Sequence, residues 1–92
     1  MTKTEVEAVL AQHLHISKGA AKDVLNAILD EITLELSRGQ PVVLAGFGTF
    51  AVIERAERQG RHPQTGDVMT VPASKRVQFR VGKALKDAVA QP

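Results

Sequence analysis

RQGRHPQTGD occupies residues 58 to 67, in the middle of a chain of 92 residues. It holds Arg58, Arg61 and His62, a proline at position 63, glycines at 60 and 66, and no large apolar side chain. Such a stretch cannot belong to a core, yet apolar sequence flanks it on both sides. It must stand off from the body, and how it does so decides the fold.

Working outward, HPQTG (62 to 66) has the residue types of a turn. Its flanks, ERAERQG and DVMTVPAS, read as two strands of an extended hairpin spanning about residues 54 to 74. Only Val68, Met69 and Val71 are sizeable apolar residues there, too few to anchor the segment onto a core. The hairpin is therefore an arm. On its far side KRVQFRV (75 to 81) alternates, with Val77, Phe79 and Val81 on one face and Arg76, Gln78 and Arg80 on the other. On its near side PVVLAGFGTFAVIE (41 to 54) is rich in strand formers, and Gly46 and Gly48 bracket Phe47 at a turn or bulge. Phe50 and Val52 share one face; Ala51, Ile53 and Arg55 share the other.

The ends of the chain are helical. TKTEVEAVLAQHL offers a capping box, Thr2 with Glu5 or Thr4 with Glu7, and places Val6, Val9, Leu10 and Leu14 on one face. SKGAAKDVLNAILDEITLELSRG starts at Ser17 as N-cap and carries Ala21, Val24, Leu25, Ile28, Leu29, Ile32 and Leu36 at helical spacing. Arg38 in the last turn, Gly39 as the left-handed residue and Pro41 end it. The short link at His15 and Ile16 makes the two helices an antiparallel hairpin. GKALKDAVA closes as a short helix, Ala84, Leu85, Ala88 and Val89 inward and Lys83 and Lys86 outward. The fold class expected is α+β: a helical hairpin base over residues 1–40, a three-stranded antiparallel sheet with a long β-ribbon arm over 41–82, and a C-terminal helix over 83–90, all one domain.

Composition narrows the function. Apolar residues make up 43%, enough for a globular core, and the absence of cysteine excludes disulfides and thiolate metal sites. The N-terminus lacks signal-peptide order and no apolar run approaches membrane-spanning length, so a soluble intracellular protein is expected. The net charge of +2 conceals an asymmetry: residues 1–53 hold 4 basic and 6 acidic side chains, residues 54–92 hold 8 and 4. The second half is the one suited to a polyanion. Without its arm the chain is small for a self-sufficient core, and its long helix has more apolar surface than a short helix and small sheet would cover. A homodimer, or a dimer with a closely related subunit, resolves both problems, with Phe47, Phe50 and Phe79 at the centre of a shared core. Two symmetry-related basic arms over a basic sheet face then form a cradle for double-stranded DNA, with Arg55, Arg58, Arg61, Arg76 and Arg80 suited to phosphates. From residues alone, Pro63 either stiffens the turn or serves as an apolar wedge between base pairs.

LAGFGTF (44 to 50), GRHPQTG (60 to 66) and GKALKDAV (82 to 89) are similar, in order and spacing, to the bacterial histone-like HU and integration host factor family of DNA-bending proteins. The resemblance covers essentially the whole chain. It implies an intertwined dimer whose two β-arms follow the minor groove while the tip proline intercalates, a wedge mechanism already known for this family. Carried over by position, Pro63 is the wedge and Arg61 lies beside it in the groove. Arg55 and Arg58 contact the backbone, Lys75, Arg80, Lys83 and Lys86 belong to the saddle and terminal helix, and Lys3 and Lys18 lie on the flanks of the body.

The sequence departs from the family at the tip, where His62 replaces the usual Asn, at Ile53 and at Asp67. Neutral His62 retains hydrogen-bonding capacity, and protonation would add charge, so binding is expected to strengthen toward pH 6. Ile53 and Asp67 lower the charge of the DNA face and imply weaker non-specific binding. GKALKDAV resembles the HU branch more than the integration host factor branch. The expected function is therefore sequence-tolerant binding, bending and compaction of chromosomal DNA in a bacterial nucleoid. The alternatives are a sequence-preferring bender and a protein-interaction scaffold that has lost DNA binding. His13 and His15 are two apart and do not share a helix face, so no metal site is expected. No nucleophile–base pair, phosphate loop or carboxylate pair suggests an enzyme or a cofactor.

Overall fold

The computed structural model describes residues 1–91. Helix α1 spans Lys3–Leu14 and α2 spans Lys18–Ser37. Strands follow at Val42–Leu44 (β1), Gly48–Arg55 (β2), Arg58–Arg61 (β3), Val68–Val71 (β4) and Ser74–Val81 (β5), and helix α3 at Lys83–Ala90 ends the chain. β1, β2 and β5 form an antiparallel sheet in the order β1-β2-β5, and β3 and β4 pair as a separate two-stranded ribbon. The α+β class and the order of elements are those expected.

Local chemistry explains the helix ends. Of the two capping boxes, only the first has a counterpart: the Glu5 N–H donates to the Thr2 hydroxyl, which itself donates to the Glu5 carboxylate. Thr4 lies inside α1 and caps nothing. Ser17 caps α2 by accepting from the Ala20 N–H at 3.1 Å. The C-terminus of α2 is a Schellman motif: Gln40 N–H donates to the Glu35 carbonyl, Gly39 N–H to the Leu36 carbonyl, and Gly39 takes φ 78°. A side chain there would pay the left-handed penalty that glycine escapes. Between the helices, His15 takes a left-handed φ of 53°, and the Ile16 N–H closes on the Ala11 carbonyl.

Each of the two helices buries one small residue. Ala11 and Ala21 are the buried hydrophobic residues among those described. The Lys3 ammonium spans the pair and donates to the Asn26 side-chain carbonyl of α2. Val6 and Leu10 are half-buried on the expected face of α1, but Val9 and Leu14 are each 51% exposed.

In the sheet, β2 and β5 pair from Gly48↔Val81 to Arg55↔Ser74. Phe50 thus lies opposite Phe79 and Val52 opposite Val77, on one face of the sheet, as the alternation expects. Phe79 is the hub of an aromatic cluster, its ring centroid 4.8 Å from Phe50 and 5.6 Å from Phe47. Gly48 makes this possible. A Cβ there would lie 2.5 Å from the Phe79 ring and 2.7 Å from the Arg80 carbonyl oxygen.

One expectation is overturned within the chain. The apolar stripe of α3 does not face inward: Ala84, Ala88 and Val89 are exposed, Val89 by 76%, and only Leu85 is half-covered. On α2 the exposure agrees with the expected excess of apolar surface: Val24, Ile28, Leu29 and Leu34 are all exposed. The total accessible surface is 7533 Å², against roughly 5,200 Å² for a compact monomer of this mass. The radius of gyration is 19.4 Å, against about 12 Å for a compact chain of this length. The arm contributes to both excesses. It does not account for bare helices and a Phe cluster in which Phe47 and Phe79 remain 47% and 40% exposed.

Candidate nucleic-acid interface

The register of the strands sorts the basic residues. The β2–β5 ladder ends at Arg55↔Ser74, and the β3–β4 ladder resumes at Arg58↔Val71 and ends at Arg61↔Val68. Residue numbers of partners sum to the same value in both ladders, so sheet and arm are one hairpin in one register. Two rungs are missing between them, at Ala56 and Glu57 on one strand and Pro72 and Ala73 on the other. Pro72 explains the gap, because it brings no N–H to the ladder. The flanks of the arm are thus shorter strands than the sequence suggests.

On this continuous register Arg55, Arg61, Arg76 and Arg80 share one face, together with Thr49, Ala51, Ile53, Gln59 and Gln78. Ile53 is the direct cross-strand partner of Arg76, so it sits in the midst of the basic row. Arg58 and Lys75 fall on the alternate register, with Glu54. Lys75 and Glu54 are cross-strand partners and their side chains pair at 3.4 Å. Arg55, Arg58, Arg61, Arg76 and Arg80 have no carboxylate partner among the described residues. All are exposed. A row of solvated, unpaired guanidinium groups on a twisted strand pair is suited to phosphates spaced along a groove.

Other predicted positions divide likewise. Lys83 and Lys86 are exposed on the first turns of α3, and Lys18 is exposed at the start of α2. Lys3 is engaged within the body, bonded to Asn26 and 3.9 Å from the Glu7 carboxylate. A phosphate would have to compete for it.

The tip is a closed, internally bonded turn. His62 N–H donates to the Asp67 carbonyl and Gly66 N–H to the His62 carbonyl, each at 2.8 Å. The Arg61 guanidinium reaches the Gly66 carbonyl at 3.3 Å, and the Asp67 N–H donates to the Thr65 hydroxyl. The Gln64 N–H donates to Nδ1 of His62 at 3.2 Å. Pro63, at the outermost corner, is exposed and lacks an N–H that the turn would have to satisfy. A protonated imidazole carries an extra charge, but it cannot accept the Gln64 hydrogen bond.

Register makes a prediction. Arg80→Ala is expected to lower the magnitude of the log–log salt slope of DNA binding by about one per copy of the chain. Lys75→Met should leave the slope nearly unchanged, because Lys75 is paired and on the alternate register. Equal slope losses for the two variants would show that the register partition does not describe the bound surface.

A small α+β body bearing a basic β-ribbon defines a class of nucleic-acid-binding domain, and comparison with known proteins identifies the family. The family model described as bacterial DNA-binding protein matches residues 1–90. The DNA-binding protein HU-beta of Neisseria meningitidis serogroup A is 52% identical over 89 residues, 97% of this chain and 100% of the relative. HU-beta of Escherichia coli K12 is also 52% identical over 89 residues, covering 97% of this chain and 99% of its own. Among solved structures, an Anabaena HU–DNA cocrystal structure superposes with a TM-score of 0.81 at 38% identity, covering 100% of both chains. HU from Thermotoga maritima gives 0.65 at 29% identity, covering 97% of this chain and 98% of that one. The chain belongs to the HU family of bacterial DNA-binding proteins.

Proposed function

We propose that this protein is a dimeric architectural protein that binds duplex DNA with little sequence preference, follows the minor groove with two arms and bends the duplex by inserting Pro63. The observation that carries the reading is the unpaired arginine row, continuous in register from Arg80 and Arg76 on the sheet to Arg61 beside Pro63. Phosphate contacts of this kind position a protein on DNA without reading bases. Membership of a family of bacterial DNA-binding proteins and the DNA-bound Anabaena neighbour support the same partner.

The second copy is part of the proposal. Residues 1–40 serve as the dimerisation base, and the uncovered faces of α2 and α3 and the Phe47–Phe50–Phe79 cluster meet their equivalents across a two-fold axis. An obligate interface of 2,000 Å² or more in total is the usual size for such a pair, and the surface excess of one chain is of that order. The partner is a second copy or a closely related subunit, and the complex belongs to the nucleoid. Among the described residues, no helix is long and apolar enough to cross a membrane.

Equilibrium binding to two unrelated duplexes across a salt series tests this reading. Affinity is expected to be nearly equal for the two and to fall steeply with salt, with a log–log slope of about −5 if some six phosphates are neutralised. A preference of tenfold or more, ~1.4 kcal/mol, would replace it with a sequence-preferring bender. Absence of binding at low salt would turn the arm into a protein-interaction element.

A further inference from the structure

We propose that His62 determines a local preference of the arm tip for minor-groove floors that lack the guanine amino group. The proposal rests on the reading that the tip enters the minor groove.

The argument starts from the tautomer. A backbone N–H is always a donor, so the Gln64 N–H at 3.2 Å fixes Nδ1 of His62 as an acceptor without a proton. In the neutral ring the proton is then on Nε2, which is a donor only. His62 is half-buried, and among the described residues no half-buried side chain has a buried nitrogen without a partner. Nε2 makes no hydrogen bond within the described residues, so it is open to solvent at the tip, next to Pro63.

Chemistry does the rest. The floor of the minor groove presents the acceptors adenine N3 and thymine O2 at A·T pairs in either orientation. At G·C pairs it adds the guanine N2 amino group, a donor. A ring that offers a donor and has no remaining acceptor is matched by the first floor and opposed by the second. The turn bond to Gln64 is therefore what converts an ambivalent imidazole into a one-sided reader. An asparagine in the same place would do a similar thing by another route: its carbonyl could accept from Gln64, leaving amide N–H donors free. Alanine would do neither.

Three duplexes of one length and one flanking sequence, with central pairs A·T, I·C or G·C, separate this from softness of the DNA. Inosine is guanine without the amino group. At pH 8 the wild-type protein is expected to bind the A·T and I·C duplexes about fivefold more tightly than the G·C duplex, the size of one hydrogen bond at the tip. His62→Ala should lose that margin beyond whatever preference DNA stiffness alone confers, and His62→Asn should restore it. An unchanged margin in His62→Ala, or equal binding of all three duplexes by the wild type, overturns the proposal. Competition by a small minor-groove ligand is run in parallel. If that ligand fails to displace the protein, the minor-groove reading itself is wrong and this inference goes with it. If it displaces the protein and the margin is absent, only the role of His62 is lost.

Discussion

Phe79→Ala is expected to leave the chain largely unfolded at micromolar concentration. In a single chain the side chain looks dispensable, being 40% exposed. Truncating a ring so exposed in a monomer would cost on the order of 1–2 kcal/mol. In the proposed dimer the same ring is buried from both sides, by Phe47 and Phe50 of its own chain and by the other copy. Removing a buried phenylalanine costs about 3–5 kcal/mol, and the dimer loses two. A small domain holds only about 5–15 kcal/mol in all, so the sum is comparable with its whole stability. Circular dichroism melts and sedimentation equilibrium over a range of concentrations measure the outcome. The wild type should melt at a temperature that rises with concentration, because association and folding are linked. A Phe79→Ala protein that stays folded, monomeric and within about 2 kcal/mol of the wild type would place the cluster on an ordinary surface and remove the dimer.

The elements legible in the sequence were those set by local chemistry. Ser17 and Gly39 mark α2 because capping and left-handed geometry act within a few residues. Strict alternation in β5 announces its two faces, and the strand pairing places Phe79 and Arg80 on opposite ones. The arm was legible because a polar, proline-bearing stretch has nowhere else to go. What escaped depends on distance in the chain. The pairing of Lys75 with Glu54 is a property of the paired strands and not of KRVQFRV read alone, whose alternation sets Lys75 apart from Arg76 and Arg80 but names no partner. Ala21 was legible on the apolar stripe of α2, but the burial of Ala11 escaped because alanine gives little signal, though small residues at helical crossings are what permit close approach. The gap in the arm did have a sign in Pro72, outshone by the proline at the tip. The inward reading of α3 failed for a different reason: amphipathicity states that a face must be covered and is silent on which chain covers it.

Pro63→Ala is expected to abolish most of the bend while leaving the protein folded. The substitution is unusually clean. Pro63 is exposed at the corner of the turn, and the bonds that close the tip run from His62, Gln64, Gly66 and Asp67. Alanine can occupy the same backbone region, and loss of the ring's rigidity costs the turn under about 1 kcal/mol. The arginine row is untouched. If the ring only stiffens the turn, affinity for a linear duplex should fall less than about fivefold and the bend should persist. If the ring is the wedge known for this family, its loss leaves the base step stacked, and the DNA springs back from the flanks of the protein. Affinity for a linear duplex should then fall about tenfold to a hundredfold, ~1.4–2.8 kcal/mol. A duplex already softened by a nick at the kink has less deformation left to supply, so its loss should be smaller. Energy transfer between dyes at the two duplex ends reads the bend, and titration of linear and nicked duplexes reads the affinities. Arg61→Ala is the control that separates charge from shape. It removes a cation from the same tip, so it should weaken linear and nicked duplexes alike and reduce the salt slope. A Pro63→Ala protein that bends DNA like the wild type would assign the kink to the arginines and the curvature of the sheet, and the ring to the turn.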